Sequence, residues 1–78
     1  MFANNDQRAE RIADLIRGYS GEGLQTDLKD VLCDLRHLAD ALGLDFAKVD
    51  KGSHSNYREE ISEDGGPASP DLFEAEPT

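Results

Sequence analysis

Residues Thr26–Leu44, TDLKDVLCDLRHLADALGL, decide the fold, because they describe one amphipathic helix with a signal at each end. Apolar residues recur at spacings of three and four, which places them on one face of a helix. They are Leu28, Val31, Leu32, Leu35, Leu38, Ala39 and Leu42. Thr26 is predicted to cap the start, Asp27 suits the first turn, and Gly43 supplies the left-handed residue that ends a helix. Such a helix needs a partner surface for its leucines.

Two further helices are predicted, one on each side of this stretch. The first covers about residues 5–17 and ends at Gly18, and its apolar face holds Ala9, Ile12, Ala13, Leu15 and Ile16. The third covers about residues 45–60, and Asp45 is predicted to cap it. Gly52 and the polar residues around it are poor helix formers, which favours a kink or a break in the third helix.

The predicted fold class is all-α. A small three-helix domain, made of a helical hairpin plus an N-terminal helix, is expected over residues 1–61. A disordered acidic tail is expected over residues 62–78, because EDGGPASP has the composition of a linker. The predicted core consists of Ile12, Leu15, Ile16, Leu28, Val31, Leu32, Leu35, Leu38, Leu42, Phe46, Val49 and Tyr57.

Length and cysteine content limit what this protein can be. A chain of 78 residues forms one domain and buries only about 60% of its extended surface, so we expect a homodimer or another assembly. The single cysteine, Cys33, excludes an internal disulfide and suits the reducing cytoplasm. No apolar run reaches the length of a membrane span or of a signal peptide. The sequence therefore predicts a cytoplasmic protein without a membrane partner.

The net charge of −9 is concentrated toward the C-terminal end, where residues 62–78 hold five acidic residues and no basic one. On the second helix, Asp27, Asp30 and Asp34 are spaced by three and four residues, and Asp40 lies further round. Carboxylates at that spacing lie about 5–6 Å apart. They can imitate a nucleic-acid strand in a basic groove, so these four residues are candidates for partner binding. The alternative is an ordinary solvated face.

The C-terminal segment 69–73, SPDLF, offers a second candidate contact. Its closing Asp-Leu-Phe resembles the peptide by which bacterial proteins dock on the sliding clamp, although Ser69 stands where that peptide has glutamine. Two adjacent large apolar residues in a polar tail are typical of an anchor. Leu72 and Phe73 are therefore predicted to bind a partner. In the alternative, both side chains fold back onto the small core.

The second and third helices also have the spacing of a helix-turn-helix. Ala39, Gly43 and Val49 supply a small residue, a turn glycine and an apolar anchor. The stretch LADALGLDFAKV resembles repressor-type DNA-binding domains. This resemblance implies a regulator that contacts DNA with three residues of the third helix, namely Lys51, His54 and Arg58. The acidic net charge argues against direct nucleic-acid binding.

No arrangement of residues predicts catalysis or a cofactor. Cys33 and His37 have the i, i+4 spacing that lets two ligands share a metal ion, but no third ligand is evident. The same pair lacks an orienting group and an oxyanion donor for nucleophilic catalysis. The sequence predicts a protein that is not an enzyme and holds no metal or cofactor.

Residues Asp27–Glu60, in particular DLRHLADALGLDFAKVD (34–50) followed by NYREE (56–60), resemble short acidic helical proteins of phages, plasmids and integrated elements. The resemblance covers about half of the chain and departs from the pattern at Gly52-Ser53-His54-Ser55. It implies an accessory protein of a mobile element. Small acidic proteins of that origin include inhibitors of host machinery such as anti-CRISPR proteins. The combined expectation is a non-enzymatic nucleic-acid mimic that binds a basic surface of a host nucleic-acid-handling protein. A helix-turn-helix regulator is the alternative.

Overall fold

The computed structural model of the protein describes residues 4–73. Three helices follow one another: α1 spans Asn5–Ile16, α2 spans Leu24–Leu42 and α3 spans Phe46–Glu63. No strand occurs within residues 4–73. The prediction of an all-α domain with three helices is confirmed. The kink or break expected near Gly52 is absent, since α3 runs through that position as one continuous helix.

Local signals account for three of the six helix ends. The Asn4 side chain accepts the N–H of Gln7 at 2.8 Å, and the Gln7 side chain accepts the N–H of Asn4 at 2.9 Å, which makes a capping box at the start of α1. Asp45 caps α3 by accepting the N–H of Ala47 at 3.0 Å, as predicted. Gly43 ends α2 with a φ of 71°, in the left-handed conformation that was predicted there.

The start of α2 differs from the prediction. The helix begins at Leu24, its N-cap is Gly23, and no side chain caps it. Thr26 therefore lies inside the first turn, and the prediction that it caps the helix is wrong. The side chain of Asp27, one residue later, accepts hydrogen bonds from the preceding loop. This contact places the end of α1 next to the start of α2.

The three helices meet at their ends. Asp27 links the start of α2 to the loop after α1, the Gly43 turn links α2 to α3, and Asn5 links the start of α1 to the end of α3. Between them lies an open cavity of about 610 Å³. Its apolar lining includes Ala9, Ile12, Leu28, Tyr57, Ile61 and Pro67. Each helix therefore presents an apolar side to a space that the other two do not fill.

The predicted core is largely wrong for the single chain. Among the described residues the buried hydrophobic ones are Ala13, Ile16 and Ala39. Of the twelve predicted core residues, Ile16 is buried, and Val31 and Phe46 are half-buried. The other nine are each more than 40% exposed: Ile12, Leu15, Leu28, Leu32, Leu35, Leu38, Leu42, Val49 and Tyr57. The physical reason is that helices which meet at their ends do not cover one another along their lengths.

The C-terminal segment also differs from the prediction of disorder from residue 62 onward. α3 continues to Glu63, and the chain then turns back toward α1. The N–H of Ser69 donates to the Asp6 carboxylate at 2.7 Å, and the Asn5 side chain donates to the carbonyl of Gly66 at 2.7 Å. Residues 62–73 are thus part of the folded domain. Residues 74–78 of the predicted tail lie outside the described part of the chain.

Candidate functional site

Asp27 was predicted to lie on the exposed acidic stripe, and this assignment is wrong because its side chain is buried, with 1% of its surface exposed. Its carboxylate accepts the N–H of Gly18 at 3.1 Å and both the N–H and the hydroxyl of Ser20 at 2.7 Å. These bonds satisfy both carboxylate oxygens inside the α1–α2 corner. Asp27 is therefore a structural residue with no surface to offer a partner.

The hydrogen bonds also set the protonation of Asp27. The pKa of its carboxyl is lowered, first by the hydrogen bond from the Ser20 hydroxyl and then by those from backbone N–H groups of the loop. Burial opposes this effect without reversing it. Asp27 consequently stays ionised in the folded protein at neutral pH, as an acceptor for the loop.

The remaining predicted acids do not form one continuous row. Asp30 is half-buried, whereas Asp34 and Asp40 are exposed. The phenol of Tyr19 donates to the Asp34 carboxylate at 2.5 Å, and this hydrogen bond is the main reason why the pKa of Tyr19 is raised. Asp40 follows Asp34 by six residues and so lies about 120° around the helix from it. The stripe is thus a pair, Asp30 and Asp34, with Asp40 on another side of α2.

The opposite side of α2 carries a row of uncovered leucines, which we call the leucine stripe. It consists of Leu28, Leu32, Leu35, Leu38 and Leu42, each between 43% and 62% exposed. By helical position Asp34 flanks one edge of the stripe and Lys29 and Arg36 flank the other, while Asp30 lies nearer the opposite side of α2. The guanidinium of Arg36 lies 4.4 Å from the centre of the Phe46 ring, which holds its stem along the apolar surface. The sequence analysis did not single out Lys29 and Arg36, although their helical positions could have indicated that they lie beside the leucines.

Leu72 and Phe73, the other predicted partner-binding residues, are half-buried. The N–H of Leu72 donates to the carbonyl of Ser69 at 3.2 Å in a turn. Phe73 lines a cavity of about 440 Å³ between α1 and α2, together with Ile12, Ile16 and Leu28. Phe73 therefore lies against α1 and α2, as in the alternative in which the tail folds back onto the core, and Leu72 lies in a turn.

A tight turn at Gly43 connects α2 to α3. The N–H of Leu44 donates to the carbonyl of Ala39 at 2.9 Å, and that of Gly43 donates to Asp40 at 3.1 Å, which is a Schellman motif. On α3, the three predicted DNA contacts, Lys51, His54 and Arg58, are all exposed. The acidic residues Asp50 and Glu59 are exposed on the same helix.

Cys33 and His37, the two residues with the i, i+4 spacing of metal ligands, are exposed on α2. Within residues 4–73, no group of three His, Cys, Asp or Glu side chains is placed to hold a metal ion. No helix in that range is long and apolar enough to span a membrane.

No family model, curated protein or solved structure matches this chain. Three surfaces of this chain bear on its function: the Asp30–Asp34 pair, the leucine stripe with its charged edges, and the exposed side of α3.

Proposed function

We propose that this chain is a non-enzymatic acidic protein that binds a basic surface of a host nucleic-acid-handling protein and inhibits or modulates it as a nucleic-acid mimic. The observation that carries the proposal is the Asp30–Asp34 pair on a helix anchored at its first turn by Asp27. Residues four apart on a helix have Cβ atoms about 5–6 Å apart, so Asp30 and Asp34 are neighbours on one side of α2. With a net charge of −9, the chain attracts basic surfaces and repels phosphate backbones.

A rigid acidic surface suits a nucleic-acid mimic better than a flexible acidic surface does. Asp34 is further oriented by the Tyr19 phenol, so a partner meets a carboxylate that is already positioned. Charge complementarity of this kind raises the rate of association and selects partners by sign, and its effect decreases as salt increases. Asp40 adds negative charge on a neighbouring side of the same helix.

The setting of the proposal comes from the resemblance of segments 34–50 and 56–60 to proteins of phages, plasmids and integrated elements. That resemblance supports a mobile-element protein of the anti-CRISPR kind, acting on host machinery in the cytoplasm. The target class follows from the charge, because the grooves of nucleic-acid-handling proteins are basic.

A double substitution tests the acidic pair. Asp30→Asn with Asp34→Asn is expected to weaken capture of nucleic-acid-binding proteins from a bacterial lysate on the immobilised chain by about 3–10-fold at low salt. Added duplex DNA or RNA is expected to compete with the wild type for the same proteins. The matched control is Glu10→Gln with Asp14→Asn, which removes the same charge from exposed positions on α1. Equal losses in both variants would show that only net charge matters and would refute the site.

A helix-turn-helix regulator remains the second candidate, favoured by the Schellman turn at Gly43 and by the exposure of Lys51, His54 and Arg58 on α3. The two functions differ in a gel-shift experiment with random-sequence duplex DNA. The mimic leaves the duplex unshifted. The regulator shifts it, and Lys51→Ala with Arg58→Ala removes the shift.

A further inference from the structure

We propose that the leucine stripe of α2 is the interface of a homodimer, in which a second copy of this chain covers it. The stripe continues onto neighbouring apolar side chains at both ends. Toward the C-terminal end of α2, Leu35, Leu38 and Leu42 share one groove with Leu44 and Val49 of the following turn and α3. Toward the other end, Leu28 shares the central cavity with Ile12 and Tyr57. The uncovered surface is therefore one connected patch.

The total surface of the chain is too large for a finished monomer. A folded monomer of 8.6 kDa exposes about 4,700 Å². This chain exposes 6228 Å², which is roughly 1,500 Å² more than that scaling. A fully extended chain segment exposes ~1.45 Å² per dalton. At that upper limit, the eight residues outside 4–73 expose about 800 Å² more than the monomer scaling already includes for them. About 700 Å² thus belongs to the described residues, close to the ~800 Å² that each partner buries in a standard interface.

The apolar part of the patch matches what a dimer needs. Nine large apolar side chains are between 43% and 62% exposed: Ile12, Leu28, Leu32, Leu35, Leu38, Leu42, Leu44, Val49 and Tyr57. A large aliphatic side chain carries about 60–120 Å² of apolar surface, so the nine present about 300–500 Å² per copy. A homodimer interface of standard size needs about 500 Å² of apolar surface from each partner.

Residues 1–3 and 74–78, which lie outside the described range, are too few to cover the patch. The large apolar side chains among them are Met1 and Phe2. The stripe from Leu28 to Leu42 is about 21 Å long at 1.5 Å per residue. Two side chains cannot bury five leucines over that length.

The charges at the edges of the stripe favour a second copy over a basic partner. One edge carries Asp34, and the other carries Lys29 and Arg36, with Asp40 beside Lys29. A uniformly basic surface seated on the stripe would meet two like charges at the second edge, which is unfavourable. A second copy presents both signs and can pair acidic with basic edges. The stripe and the Asp30–Asp34 pair are tested by different substitutions, so a failure here is distinguishable from a failure of the proposed function.

Sedimentation equilibrium of the purified full chain tests the dimer. The wild type is expected at twice 8.6 kDa at micromolar concentration, with a melting temperature that rises with protein concentration. Leu32→Glu is expected to raise the dissociation constant by more than about 100-fold, because it places a charge in the middle of an apolar interface. The matched control is Leu15→Glu on α1, where the leucine is 79% exposed and lines neither of the two cavities of the patch. It is expected to leave the dimer unchanged.

Two results would overturn the proposal. One is a folded wild type of 8.6 kDa at micromolar concentration, which would mean that the patch is free or belongs to a different protein. The other is a Leu32→Glu chain that sediments as the wild type does. If Leu32→Glu fails to fold, Leu38→Ala replaces it, since it shortens an exposed side chain without adding charge, and its dissociation constant is expected to rise about 10-fold. An unchanged constant would contradict the interface.

Discussion

The first turn of α2 is held by buried hydrogen bonds, whereas the middle of α2 presents exposed apolar side chains. In the first turn, Asp27 is 1% exposed and its carboxylate accepts hydrogen bonds from Gly18 and Ser20. In the middle, the apolar side chains of Leu32 and Leu35 are each 43% exposed. Directed polar bonds therefore fix the angle between α1 and α2 without burying the apolar side of the helix. Hydrogen bonds at the corners thus set the angles between the helices, and the largest apolar surface remains uncovered.

The corner between α1 and α3 repeats this pattern. The side chain of Asn5 is buried and donates to the carbonyls of Glu60 at 3.1 Å and Gly66 at 2.7 Å. The N–H of Asn5 donates to the Asp64 carboxylate at 2.8 Å. Two turns further along α1, Ile12 is 46% exposed. A helix arrangement held in this way presents a preformed apolar surface, because no rearrangement is needed before a second chain can cover it.

The largest expected effect comes from removing the charge at the first corner. Asp27→Asn replaces one carboxylate oxygen by an amide that donates, so either Gly18 or Ser20 loses its acceptor. Losing a buried acceptor for charged hydrogen bonds is expected to lower the melting temperature by roughly 5–15 °C. Thermal unfolding followed by circular dichroism at one fixed protein concentration measures the change.

The matched control for this experiment is Asp40→Asn, because Asp40 is on the same helix and exposed. It is expected to leave the melting temperature within about 2 °C of the wild type. If the two variants melt alike, the corner does not hold the fold, and the contrast between the two parts of α2 fails.

A smaller effect is expected from acid. The folded pKa of Asp27 lies below its unfolded value of about 3.9. Its contribution to stability is therefore present above pH 4 and is lost as the pH falls through the folded pKa. The wild type should therefore lose more stability than Asp27→Asn as the pH falls below about 4, so the two melting temperatures approach each other. A constant difference between the two proteins over this range would contradict the assignment.

The helices were predictable from the sequence because their signals are local. The capping aspartate at position 45, the terminating glycine at position 43 and the three-and-four spacing of leucines all act within one or two turns. The core was not predictable by the same route. Periodicity states that Leu28 and Leu35 share a face, but whether another helix covers that face depends on the angle at each corner. That angle is set by Asp27 and Asn5 through contacts that span the loop or nearly the whole chain.

The candidate site was predictable only in part for the same reason. By residue type and spacing, Asp27 is indistinguishable from Asp30 and Asp34. Its carboxylate, however, accepts hydrogen bonds from Gly18 and Ser20 of the loop and is not available to a partner. The C-terminal segment has the composition of a linker, but single acceptors such as Asp6 hold it to α1. Composition averages over residues and does not register one long-range hydrogen bond.

The smallest expected effect concerns two glycines, one at a corner and one in the middle of a helix. Gly52 lies inside α3 and is exposed, and a Cβ added there would meet no atom within 4 Å. Gly52→Ala is therefore expected to stabilise the fold by about 0.5–1 kcal/mol, because alanine loses less backbone entropy in a helix. Gly43 also has free space, but its φ of 71° is left-handed, so Gly43→Ala is expected to cost about 1–2 kcal/mol. Urea unfolding at fixed protein concentration measures the change in the free energy of unfolding for both variants. If Gly43→Ala also stabilises the fold, the α2–α3 corner does not depend on its left-handed turn conformation.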